Sequence, residues 1–414
     1  MEKNNLDKSM ATFEKAKSLV PGGVLGIRRP YNFVEGEFPI FIDSGKACRI
    51  TDVDGNEYID FLCGYGPIIL GYRVEEVDNA VIDQMQNKGF CFSLSQTLQN
   101  TLAEKLNELI PCAEMSLFVK TGSDATTTAI RIARGYNDRT KIIRCGYHGW
   151  HDWCVEVKGG VPEKLYEDTL EFRYNDLEDL ENILKEHGAD TAAIIVTPFG
   201  HPLAADMQEP KEGFLEGVRK LADEYNTVLI FDEIRTGFRV SLGGCQKYYG
   251  VTPDMAVFGK AMANGYSIGA ICGKKEFMMA AEAKVFISST FFPNSLSYIA
   301  ALKTIEILER DNVLDGIWEK GKKYMEDVQT IIDEYPEIGA KISGIPPMSF
   351  ITFKKDPEKK YKARRTNFYT QLIRRKVFMQ PYHHGYIMRD HSEEDLAETI
   401  KAIRETFQYL REND

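Results

Sequence analysis

No two cysteines in this sequence have the C-x-x-C spacing of a zinc or redox site. The eight present (Cys48, Cys63, Cys91, Cys112, Cys145, Cys154, Cys245, Cys272) are scattered over 414 residues. That usage excludes a disulfide scaffold, argues against a bound metal, and fits a reducing, cytoplasmic setting. Long hydrophobic runs are also missing. The longest resemble Ala192–Val196, far short of the ~18 consecutive apolar residues of a membrane helix. The opening MEKNNLDKSM has no apolar signal region, so a secretory signal is not expected. There is no low-complexity tract and no fixed-period repeat. Positive charge is in deficit: 51 Lys and Arg face 62 Asp and Glu, a net charge of −11. Nucleic acid and anionic membrane are therefore not expected partners. Neither G-x-x-x-x-G-K-[ST] nor a strand followed by G-x-G-x-x-G occurs, which removes support for nucleotide-binding folds.

What is present is alternation. Short apolar runs rich in Val, Ile or Phe read as buried strands: 116–120, 141–145, 192–196, 228–232, 255–259 and 268–272. Amphipathic stretches lie between them. Residues 124–137 align Ala125, Ala129, Ile132 and Ala133 on one stripe, and 213–226 align Phe214, Val218, Leu221 and Ala222. Strands alternating with helices predict an α/β fold with a central, mainly parallel sheet covered by helices. Both chain ends differ. Residues 1–60 and 311–414 combine charged helices with short strands such as MSFITF and KVFMQP, so a smaller α+β domain built from both ends is expected beside a large domain over 61–310.

Ligands of such sheets sit at the carboxyl ends of strands, and three strand ends carry suitable residues. Asp232 closes VLIFD, presenting a carboxylate at the edge of a buried strand, although an aspartate there equally suits a cap. Lys260 follows MAVFG. Partial desolvation there would lower its pKa and free the amine for Schiff-base chemistry; the commoner fate of a lysine is to reach solvent. Thr121-Gly122-Ser123-Asp124 lies between a strand and a helix, where bare amides, a glycine and a hydroxyl make an anion site or an ordinary cap. A phosphate cradle, a buried carboxylate and a desolvated lysine on strand ends of one sheet are what pyridoxal 5'-phosphate needs.

The segments TDVDGNEYIDF, TGSDATTTAIRIARGYNDRTKIIRCGYHGWHD, GFLEGVRKLADEYNTVLIFDEIRTGFR and PDMAVFGKAMANGYSIGA resemble the class III, fold-type I PLP-dependent aminotransferases. PGGV and SSTFFPNSLSYIAAL point within them to the glutamate-1-semialdehyde aminomutase-like subgroup. The resemblance implies that Lys260 is the Schiff-base lysine and that Asp232 pairs with the pyridine nitrogen. It implies that Gly122 and Ser123 bind the phosphate, that Tyr147 stacks on the ring and that Ile234 packs the ring's other face. Thr290 would reach the phosphate of the neighbouring subunit in a homodimer with shared sites. Arg29 would hold the substrate carboxylate, with Arg28 as an alternative.

Three departures bear on the reaction, one of them that AMANGYS replaces the aminomutase's Gly-rich stretch after the lysine. Thr197-Pro198 stands where the family usually has Glu-Pro, with His201 shortly after. The stretch following Tyr147-His148-Gly149 is shorter than an aminomutase lid and carries Trp150 and Trp153. An aminomutase must hold its diamine intermediate between half-reactions. A shorter, aromatic-rimmed entrance favours an aminotransferase with separate amino donor and keto or aldehyde acceptor. Glutamate-1-semialdehyde 2,1-aminomutase, or another isomerase on the same cofactor, is the alternative. A non-catalytic binding protein would not need Lys260 and Asp232 together.

Overall fold

The computed structural model describes residues 1–202 and 205–413. They form two compact units, Met1–Val74 with His201–Gln208 and Asn312–Asp414, and Glu75–Gly200 with Glu209–Asp311.

The second unit is organised by a seven-stranded sheet. Its order is Met115–Val119, Gly269–Gly273, Met255–Phe258, Val228–Asp232, Thr191–Val196, Lys141–Cys145, Thr169–Glu171. Only Gly269–Gly273 runs antiparallel to its neighbours; the other six strands share one direction. Their carboxyl ends therefore lie along one edge of the sheet. All six residues of Thr191–Val196 are buried, which is why residues 192–196 read as an unbroken apolar run. Truncating Ile194 or Ile195, both with no exposed surface, to Ala would cost about 2–5 kcal/mol.

Helix Gly122–Asn137 packs on this sheet through Ala125, Ala129, Ile132 and Ala133, all fully buried. Small residues along that stripe let the helix approach closely. Helix Phe214–Glu224 buries Phe214, Leu215, Val218 and Ala222, so Leu215 rather than Leu221 completes its inner face. The short strand Thr169–Glu171 escapes sequence reading because it is a three-residue edge with one exposed position.

The first unit holds two small sheets and four α-helices, Asp7–Lys17, Val313–Glu334, Lys360–Arg374 and Glu393–Asn413, among the described residues. Val377–Phe378 pairs in parallel with Ile59–Asp60, and this contact brings the two chain ends into one sheet. Residues 61–74, read above with the larger domain, bond into this unit: Tyr386 N donates to Phe61 O at 2.8 Å and Arg389 N to Ile69 O at 2.8 Å. The 201–208 segment joins through Asp206, which accepts from Lys341 Nζ and Thr352 Oγ1 at 2.6 Å each. KVFMQP contracts to the two paired residues Val377–Phe378. No helix among the described residues is long and apolar enough to cross a membrane.

Candidate active site

Five strand ends of the second unit contribute to one edge of the sheet. Asp232 is the last residue of its strand and is buried. Its Oδ2 lies 2.8 Å from His148 Nδ1 and its Oδ1 accepts the Ile234 amide at 3.1 Å. A carboxylate facing Nδ1 places the proton on that nitrogen, and His148 Nε2 is buried with no hydrogen-bond partner.

Lys260 stands two residues beyond Phe258, at the start of the turn Lys260–Ala263, with φ at +42°. Few non-glycine residues adopt a positive φ, and they gather where backbone strain serves a site. The side chain is half-buried. Burial pushes its ammonium down to about 7; the Arg235 and Arg239 guanidinium groups push the same way, and Asp232 opposes them. The amine is therefore substantially unprotonated near neutrality.

Helix Gly122–Asn137 begins with a capping box. Thr121 Oγ1 accepts the Asp124 amide at 3.1 Å, and the Asp124 carboxylate accepts the Thr121 amide at 2.9 Å. The box leaves the Gly122 and Ser123 amides without an acceptor among the described residues. Two other elements close on this turn. Trp150 N donates to Ser123 Oγ at 3.2 Å. At Gly149, where φ is +117°, a Cβ would stand 2.3 Å from Ser123 Oγ; at Gly122 one would stand 3.1 Å from Ile234 Cγ2. Bare amides, a hydroxyl and space kept open by glycine form a cradle for a phosphate-sized anion.

Tyr147 follows the Lys141–Cys145 strand and is 44% exposed, so it is not a core tyrosine. Thr197 is buried against the backbone just before it: a Cβ on Gly146 would lie 2.4 Å from Thr197 Oγ1. Ile234 is partly buried in the core cluster of this unit. Trp150 is exposed, but Trp153 is buried; its Nε1 donates to Thr127 Oγ1 at 2.9 Å, and Thr127 Oγ1 lies 2.8 Å from His151 Nδ1. Trp153 thus anchors the 147–154 loop to the phosphate-cradle helix instead of rimming an entrance.

Thr290 is exposed, in a depression of about 560 Å³ also lined by Cys91, Phe92, Ser288, Ser289 and Phe292. Arg29 and His201 belong to the first unit. Arg29 lies against Gly22 and its buried Nε has no partner; exposed Arg28 lies over the Tyr65 ring at 5.8 Å; buried His201 faces His384 at 5.9 Å.

Two residues carried more than sequence reading gave them. His148 was visible only as a neighbour of Tyr147, and its partnership with Asp232 spans 84 residues. Glu233 lies buried beside Asp232. Its carboxylate accepts from Thr236 Oγ1 and from the Cys245 and Gln246 amides at 2.9 Å, and burial raises it to about 7. It ties the strand end to the Gly244–Tyr249 helix. Its signal was an acid immediately after a buried acid in an otherwise apolar run.

Residues 31–403 match the family model described as Aminotransferase class-III. The chain is a class-III aminotransferase. A 3-aminobutyryl-CoA aminotransferase of Cloacimonas acidaminovorans is 64% identical over 405 residues, 98% of each chain. A glutamate-1-semialdehyde 2,1-aminomutase of Methanosphaera stadtmanae is 35% identical over 421 residues, covering 96% of this chain and 97% of its own. Among solved structures, the FumI protein of Sphingopyxis sp. MTA144, in its PLP form, superposes with a TM-score of 0.92 at 28% identity, covering 98% and 97% of the two chains. This class-III aminotransferase has the fold-type I architecture and uses pyridoxal 5'-phosphate in amino transfer between a donor and an acceptor. Its own residues suit that cofactor: amides without acceptors at the cradle, a half-buried amine lowered toward neutrality, and a buried carboxylate held by the His148 imidazole.

Proposed function

We propose that this aminotransferase takes its amino group from a 3-aminoacyl thioester of coenzyme A and delivers it to a keto acid. The observation that carries this is 64% identity, over 98% of the chain, to a protein named 3-aminobutyryl-CoA aminotransferase, against 35% for an aminomutase. The donor exchanges its C3–N bond for a C3 carbonyl. The keto acid exchanges its carbonyl oxygen for the amino group. The two half-reactions balance without an outside oxidant.

Each residue has a part that follows from its surroundings. Bound pyridoxal phosphate supplies a carbonyl carbon that receives the amino group and a ring that accepts the electron pair released at the donor carbon. Lys260, with an amine near neutral pKa, captures the cofactor and moves the proton at the amine-bearing carbon of the donor. Asp232, oriented by His148, keeps the proton on the ring nitrogen. Gly122 and Ser123 hold the phosphate, and Tyr147 and Ile234 flank the ring. A CoA thioester carries no free carboxylate on its acyl part, so Arg29 serves the carboxylate of the keto acid.

The active form is a cytoplasmic homodimer in which Thr290 reaches the partner's phosphate site. What supports the homodimer is apolar surface beside Thr290 in the second unit: Phe92, which lines the same depression, is 43% exposed and Phe291, next in the chain, 61%. A monomer rarely leaves such large apolar side chains together in water.

The test is an amine-donor screen following conversion of the cofactor's absorbance to its amine form. 3-Aminobutyryl-CoA should convert it and release 3-oxobutyryl-CoA, and a keto acid should restore the starting spectrum. Net turnover of glutamate-1-semialdehyde to its amino-shifted isomer with no second substrate, and no conversion of the cofactor by the thioester, would establish the aminomutase instead.

A further inference from the structure

In a chain of net charge −11, residues 354–365 (KKDPEKKYKARR) carry five lysines and two arginines against Asp356 and Glu358. The fold concentrates them. Lys354 and Lys355 leave the Met348–Phe353 strand, and the rest open the helix Lys360–Arg374. Both acids are engaged. Asp356 caps the helix, accepting the Lys360 amide at 3.0 Å and the Tyr361 amide at 2.8 Å, and Glu358 pairs with Lys360 at 2.7 Å. Among the described residues, Lys354, Lys355, Lys359, Lys362 and Arg365 have no carboxylate within ion-pair distance.

These cations do not serve the helix. The first turn is the positive end of the helix dipole, where lysine is unfavourable. Lys359, before the first turn, holds a left-handed backbone at φ +60°. Lys354, Lys355, Lys359 and Lys362 are all exposed, so packing does not explain them either.

Beside them the Arg365 guanidinium lies 4.3 Å from the centroid of the Tyr382 ring, both half-buried. A guanidinium on an aromatic ring is a flat, cationic platform onto which a purine can stack. Beyond Tyr382, His383 stacks on His384 at 4.3 Å and meets Tyr65 edge-on at 5.3 Å, and Arg28 lies over Tyr65. Rings and cations thus form a series within the first unit, between the basic stretch and the Arg28–Arg29 segment.

We propose that residues 354–365, with Arg365 and Tyr382, form the docking site for the nucleotide half of a coenzyme A thioester. The exposed lysines take its pyrophosphate and 3'-phosphate, and the Arg365–Tyr382 platform takes its adenine. The inference rests on the thioester reading of the substrate above and adds where that substrate is recognised.

The test uses the holoenzyme and the variant Lys354→Glu/Lys355→Glu/Lys359→Glu/Lys362→Glu, all exposed positions, with Tyr382→Ala as a second variant. Kinetics are measured with 3-aminobutyryl-CoA and with the 3-aminobutyryl thioester of N-acetylcysteamine, which lacks the nucleotide. Calorimetry measures binding of free coenzyme A. For the charge-reversed enzyme, KM for the CoA thioester should rise by roughly tenfold or more, with kcat within about twofold and the truncated thioester unaffected. Coenzyme A binding should weaken in parallel, and in the wild type it should weaken with added salt. Tyr382→Ala should weaken coenzyme A binding while leaving its salt dependence in place. Unchanged coenzyme A binding in the charge-reversed variant, an equal KM rise for both thioesters, or a wild type that does not bind coenzyme A would overturn the docking site. A wild type that transaminates neither thioester would overturn the substrate reading, while the calorimetric comparison decides the docking site by itself.

Discussion

Lys260 should titrate more than three pH units below an ordinary lysine. Its ammonium is destabilised first by burial and then by the Arg235 and Arg239 guanidinium groups; Asp232 offsets part of this, leaving the group at about 7. At pH 7 about half the amine is neutral, against roughly three molecules in ten thousand for a lysine at 10.5, a gain of about a thousandfold in reactive amine. The assay is trace reductive methylation of the apoprotein between pH 6 and 10, with peptide mapping by mass spectrometry. Labelling of Lys260, normalised to its own plateau, should be half-maximal near pH 7. Lys220, whose side chain is 77% exposed, should climb throughout the range. Arg235→Gln removes the second-largest cause and should move the Lys260 midpoint upward. The sign for stability follows. Between about pH 7 and 10 the unfolded chain holds this proton and the folded chain does not, so the contribution of Lys260 to apoprotein stability increases as pH rises through that window. A Lys260 profile that keeps rising tenfold per pH unit beyond pH 9 would refute the reasoning, because burial and the two arginines would then be failing to disfavour the charged form.

Three further expectations concern the rest of the site. Asp232→Asn replaces the carboxylate with a neutral amide that cannot hold the ring-nitrogen proton, so turnover should fall by about a hundredfold or more with an unchanged melting profile; near wild-type turnover would reduce Asp232 to a cap. Gly149→Ala sets a methyl 2.3 Å from Ser123 Oγ at a φ of +117°, and cofactor affinity measured by titration of the apoprotein should weaken by at least about tenfold; affinity equal to wild type would separate Gly149 from the phosphate cradle. Thr290→Ala removes a hydroxyl proposed to bond a charged phosphate oxygen, so affinity should drop about tenfold to a hundredfold across protein concentrations; a wild type that is monomeric with cofactor fully bound would remove Thr290 from the site.

The parallel-sheet core was legible because a strand buried on both faces is apolar at most of its positions. Thr191–Val196, Val228–Asp232 and Lys141–Cys145 lie within one residue of their expected bounds. The candidate site was legible for the same reason: a polar residue that ends such a run, as Asp232 does, or follows it, as Lys260 does, stands at the carboxyl edge of the sheet, where ligands of such sheets sit. Chain pattern therefore determined which residues could carry chemistry and on which edge. It did not determine which of them meet. His148 reaches Asp232 across the Thr191–Val196 strand, Gly149 closes on Ser123, and Trp153 turns inward to Thr127. Gly269–Gly273 runs against its neighbours, and Val377–Phe378 joins Ile59–Asp60 to bring the chain ends together. Local periodicity records how deeply a segment is buried. Strand order and the meeting of distant segments depend on how the intervening helices and loops cross the sheet, and only the tertiary structure decided those.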